Sequence, residues 1–89
     1  MKRSNDIILD EFLNINLRQL AHVPIIAVYD NPKDYPGKFI ARLWDIGKKP
    51  TRFVMVKGGL EDIRKNIPSG MVRLPPSPLD DPILVETWL

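Results

Sequence analysis

The sequence predicts one α+β domain: a small antiparallel β-meander sheet, a helix at the N-terminus, and a short helix after the third strand. Three observations predict it. Nine prolines divide the 89 residues into short apolar segments, too short for a bundle of long helices. Three runs rich in β-branched and aromatic residues follow one another between positions 25 and 57, with turn residues between them. Helical spacing occurs on either side of those runs, and consecutive strands with local helices are the pattern of an antiparallel α+β fold. A chain this short holds one core. Residues 1–89 therefore read as one domain, with 1–20 as an N-terminal helix or arm and 24–89 as the α+β core.

Each element has its own reason. Residues 5–14 place Ile8, Leu9, Phe12 and Leu13 at helical spacing. Ser4 or Asn5 can cap that helix, and Asp6 sits in its first turn, where the helix dipole favours an anion. Residues 14–20 alternate, with Ile15 and Leu17 on one side and Asn14, Asn16 and Arg18 on the other, as in a strand or an ordered arm. Residues 25–29 are the first strand of the meander. Tyr35-Pro36-Gly37-Lys38 suits a type II turn, because proline fixes the first central residue and glycine allows positive φ at the second. Residues 38–46 form the second strand, 47–50 turn the chain, and 51–57 return as the third. Gly58-Gly59 breaks that strand. Residues 60–66 then read as a two-turn helix, with Glu61 and Asp62 in its first turn, Arg64 and Lys65 in its last, and Pro68 stopping it. A short strand over 71–74, a stiff Pro75-Pro76-Ser77-Pro78 segment and a last strand over 83–88 complete the chain.

Both faces of the meander read as apolar. Phe39, Ala41 and Leu43 share one face of the second strand, while Ile40 and Trp44 share the other with Lys38 and Arg42. A sheet with one wet face alternates cleanly with polar residues. The second face therefore calls for a cover: the N-terminal helix, a partner subunit or a ligand. Ile40 and Trp44 are the candidate interface residues.

Charge is distributed unevenly along a chain of net charge +2. Residues 1–36 carry four basic and five acidic groups, a net of −1; residues 58–89 carry three and five, a net of −2. Residues 37–57 carry six basic groups against Asp45 alone, a net of +5. Lys38, Arg42, Lys48, Lys49 and Arg52 belong to this block, with Phe39, Trp44 and Phe53 interleaved. Phosphates attract lysine and arginine, and exposed bases stack on aromatic rings, so this block is the candidate nucleic-acid surface. The competing explanation is solubility, since strands carry lysine to avoid aggregating.

Catalytic equipment is sparse. The chain has no cysteine, which excludes disulfides, thiolate metal sites and a cysteine nucleophile and points to a reducing compartment. His22 is the single histidine, and it reads as a structural residue beside a strand start. The loop from Asp30 to Asp34 lacks the ligand pattern of a calcium loop, with Pro32 at its third position and Ala41 at its twelfth. Asp80-Asp81 reads as loop carboxylates. Lys57-Gly58-Gly59 lacks the spacing of a phosphate-binding loop, and Glu61 and Asp62 would repel an anion there. No catalytic, cofactor-binding or metal-binding residue is therefore assigned, and no cofactor. The start, Met1-Lys2-Arg3, is followed by Asp6, Asp10 and Glu11 rather than by the apolar stretch of a signal peptide. No apolar run approaches the ~18 residues of a membrane span, so no membrane partner is expected.

Residues 28–44, from Val28 through Tyr35-Pro36-Gly37 to Trp44, resemble a stretch of small uncharacterised proteins of Gram-positive bacteria and their phages. Residues 60–68 and 79–88 are similar to the same proteins. The resemblance implies a bacterial cytoplasmic setting and no activity, cofactor or catalytic residue. The expected function is a non-enzymatic binding or interaction module, homodimeric through the second face of its sheet. The alternative is a small nucleic-acid-binding accessory protein using the basic meander, with an enzyme third.

Overall fold

The computed structural model describes residues 5–46 and 49–89. Six strands form one mixed sheet: β1 (Ile7–Leu9), β2 (Pro24–Asp30), β3 (Phe39–Asp45), β4 (Pro50–Lys57), β5 (Arg73–Leu74) and β6 (Leu84–Trp88). A 3-10 turn at Leu17–Gln19 and a helix α1 at Leu60–Arg64 supply all the helix among the described residues. The strand order is β1-β4-β3-β2-β6-β5. β1 runs parallel to β4, with Ile7, Ile8 and Leu9 opposite Phe53, Val54 and Met55. The other neighbours are antiparallel.

This corrects the expected α+β class: the fold is closer to all-β, and there is no N-terminal helix among the described residues. The Ser4 cap considered for that helix lies outside them. An isolated helix of some ten residues is marginal in water. The same residues gain more by pairing: the Ile7–Leu9 backbone adds to the edge of β4, and Asp6 meets Arg42 from β3. The apolar stripe is split as a result. Leu9 and Phe12 join the core, whereas Ile8 and Leu13 are exposed.

The connection from β1 explains how the first face is covered. β1 lies at one edge and β2 three strands away, so residues 10–23 must cross the sheet. They carry Phe12, Leu17 and Ala21 into the core, against Ile26, Val28, Ala41, Leu43 and Met55. The Asn16 side chain accepts from the Arg18 backbone N–H at 3.1 Å and starts the 3-10 turn within this crossing. α1 lies on the same face through Ile63 and Ile67, and the Phe12 N–H donates to the Asn66 carbonyl at 3.0 Å. Between β2 and β3, Gly37 has φ of +77° and the Lys38 N–H donates to the Tyr35 carbonyl at 3.2 Å, the geometry of a type II turn.

One carboxylate is buried in the covered face. Glu86 of β6 is 2% exposed. It accepts from Arg64 Nη2 at 2.8 Å and Nε at 3.2 Å, and from the Trp88 indole N–H at 2.9 Å, with Arg73 at 3.8 Å. It thereby ties α1 to β6. Burial alone would raise the Glu86 pKa, but the hydrogen bonds from Arg64 and Trp88 and the charges of Arg64 and Arg73 outweigh it, so the pKa falls below its ordinary 4.5. A carboxyl whose folded pKa lies below its unfolded one contributes stability above the unfolded value and loses it as pH falls through the folded value. The urea midpoint should therefore decline as pH drops below about 4.5, and Glu86→Gln should show a shallower decline over the same window. Equal slopes for the two proteins would remove Glu86 from the explanation of acid sensitivity.

Candidate functional site

The second face of the sheet is closed at one end and open at the other. Over β3 and β4 the protein covers itself. Arg42 Nη1 and Nη2 donate to the two oxygens of Asp6 at 2.8 and 2.9 Å, and Nη1 also donates to the Thr51 carbonyl at 2.9 Å. The Tyr35 hydroxyl reaches from the β2–β3 loop and donates to Asp6 at 2.8 Å. The hydrogen bond and charge of Asp6 raise the Arg42 pKa, against the opposing effect of burial. Val54 and Ile40 are buried on this part of the face, Ile40 to 3% exposure.

Over β2, β3 and β6 the face is a groove of about 500 Å³. Ile25, Ala27 and Tyr29 enter it from alternate positions of β2. Trp44 stands opposite Ile25, Thr87 opposite Ala27, and Leu84 opposite Tyr29. The concavity follows from these pairs: the small pair Ala27 and Thr87 sits between two bulky ones. Asp45, at the end of β3, and Asp80 and Asp81, in the loop before β6, add carboxylates to the lining.

The acidic residues are held in place by the backbone. Asp45 accepts from the Val23 N–H at 3.0 Å, Asp80 from the Ser77 N–H at 2.7 Å, and Asp81 from the Ile83 N–H at 3.1 Å. Tyr29 forms part of the floor. Burial raises its pKa above the ordinary 10.0, and the charges of Asp81 and Asp80 push the same way, against the Trp44 N–H and Arg42. The Trp44 indole nitrogen is itself buried: it lies close enough to influence the Tyr29 hydroxyl, yet makes no hydrogen bond of standard geometry.

The residues singled out from the sequence do not come together. Arg42 is spent on Asp6, and Lys48 lies outside the described residues. Lys38, Lys49 and Arg52 are exposed. Phe39 and Phe53, the aromatic rings interleaved with them, pack half-buried against the core on the covered face. Of the two interface candidates, Trp44 lines the groove and Ile40 lies beneath its neighbours. His22 is 83% exposed, 3.5 Å from Asp45. Among the described residues, no group of three histidine, aspartate or glutamate side chains is arranged to hold a metal ion, and no helix is long and apolar enough to cross a membrane.

Tyr29, Leu84 and Thr87 were not foreseen as site residues. Their signal was Ala27, a small residue inside a bulky β-branched run. Its meaning depends on the pairing of β2 with β6, some 60 residues apart in sequence. No protein-family model, curated protein or solved structure matches the chain.

Proposed function

We propose that this chain is a non-enzymatic protein-interaction module of the bacterial cytoplasm, and that its working surface is the groove between β2, β3 and β6. The observation that carries the reading is the groove itself: an open, largely apolar concavity with two aromatic rings and a few fixed polar groups, the composition of binding sites in general. The setting is supported by the absence of cysteine and by the sequence resemblance. A partner that docks here takes Trp44 as its anchor, since tryptophan in a concavity is a frequent centre of binding energy. A second copy of the chain is one such partner, and Trp44 rather than Ile40 would be its contact.

A random peptide library displayed on phage and selected against the folded protein tests this reading. Selected peptides are expected to compete for one site and to lose at least tenfold in affinity for Thr87→Arg, which fills the groove from β6 while leaving the covered face untouched. Peptides that bind the variant and the wild type alike would place the working surface elsewhere. Light scattering over a wide concentration range tells whether the occupant is a second copy: a dimer that Thr87→Arg abolishes is one that docks through the groove.

Among the described residues the nucleic-acid alternative rests on the exposed charges of Lys38, Lys49 and Arg52, with Arg42 paired to Asp6 and the rings of Phe39 and Phe53 half-buried on the covered face. Oligonucleotide binding at low salt that Lys49→Glu with Arg52→Glu removes would restore it and displace the groove reading.

A further inference from the structure

We infer that the groove receives a lysine or arginine side chain presented by a partner polypeptide. This rests on the interaction-module reading and names the chemistry of its occupant. Charge complementarity carries the inference. Among the ten described residues that line the groove, three are aspartates and none is lysine or arginine. The chain as a whole is net positive, so the acidic lining departs from the rest of the protein. Arg42, on the same face, donates to Asp6 and is not among the described residues that line the groove.

The remaining lining matches the rest of such a side chain. Lysine and arginine carry a methylene stem that packs on apolar surface while the charged head stays near water. Ile25, Ala27 and Leu84 offer that apolar surface, and Tyr29 and Trp44 bring two aromatic rings to the lining, the side-chain type that attracts a cation within about 6 Å of a ring centre. Asp80 and Asp81 sit in the exposed loop where the head would emerge. Their field reaches the floor, since both raise the pKa of the Tyr29 hydroxyl. An anion at the same place would meet the carboxylates of Asp80 and Asp81.

Three small probes of equal length separate the contributions: pentylammonium, pentanol and pentanoate, each titrated into the ¹⁵N-labelled protein. Pentylammonium is expected to shift backbone resonances of Tyr29, Trp44, Leu84 and Thr87 on the order of tenfold more tightly than pentanol, with the advantage shrinking as salt is added. Pentanoate should leave those resonances in place. Asp80→Asn with Asp81→Asn keeps an oxygen acceptor for each turn, and should bring pentylammonium down to the affinity of pentanol. Equal binding of pentylammonium and pentanol by the wild type would overturn the cation while leaving the groove as an apolar docking site. No shift at the groove with pentylammonium would also overturn it. The peptide selection decides the interaction-module reading separately, because a selected peptide that binds the groove without a basic residue supports the module and refutes the cation.

Discussion

Phe12→Ala is expected to cost about 3–5 kcal/mol, the range for truncating a fully buried phenylalanine. Phe12 is completely buried and lies on the crossing segment between β1 and β2. Its backbone N–H is bonded to the end of the α1 region, so its ring holds together the crossing, the helix and the sheet. Domains of this size have a stability near the low end of about 5–15 kcal/mol. The variant is therefore expected to melt tens of degrees lower or to be unfolded at 37 °C, since each kcal/mol moves the midpoint by roughly 4–8 °C. Circular dichroism against temperature decides it. A loss below about 1 kcal/mol would mean that the ring is not in the core, and that the first 20 residues are loosely attached.

Arg42→Met is expected to cost about 2–3 kcal/mol. The substitution keeps the aliphatic bulk but takes the guanidinium away from the mostly buried Asp6 carboxylate. Removing one partner of a buried pair costs about 3–5 kcal/mol, and the partial exposure of both side chains places this pair somewhat lower. Asp6→Asn in the Arg42→Met background should recover part of the loss, because it removes the charge that the guanidinium balanced. Hydrogen exchange should show β1 opening first, since the pair clamps the residue just before that strand to β3. If the double variant is no more stable than Arg42→Met, the carboxylate is solvated and the clamp contributes little.

The strands between residues 24 and 57 were legible because their signals are local. A β-branched run is bounded by prolines and glycines, and the type II turn at Gly37 follows from two adjacent residues. The alternation that separates Phe39, Ala41 and Leu43 from Ile40, Arg42 and Trp44 is likewise local, and it is the alternation found in the sheet. The N-terminus was misread because Ile8, Leu9, Phe12 and Leu13 satisfy a helical period, while the stronger influence was the unpaired edge of β4. Each β1 residue pairs with a β4 residue 46 positions later, and no local pattern reports it.

The same distinction explains the site. The basic block is contiguous in sequence but not in function. Arg42 is neutralised by a residue 36 positions earlier, and the phenylalanines between the charges turn to the other face. The groove combines β2, β3 and the loop before β6, and the pairing of β2 with β6 is a fact of topology. Trp44 was recognised as an exposed apolar residue that needs a cover. Ile40 carried the same signal, and the fold itself buries it to 3% exposure.

The two tryptophans allow the most direct test of the groove. Trp44 lies in it, and Trp88 is on the opposite, covered face, bonded to Glu86. Their indole N–H resonances can be followed together while a basic peptide from the selection is added to the ¹⁵N-labelled protein. The account predicts that the Trp44 signal shifts to saturation and that the Trp88 signal stays where it is. Movement of Trp88 without Trp44, or of Lys49 and Arg52 without either, would contradict it.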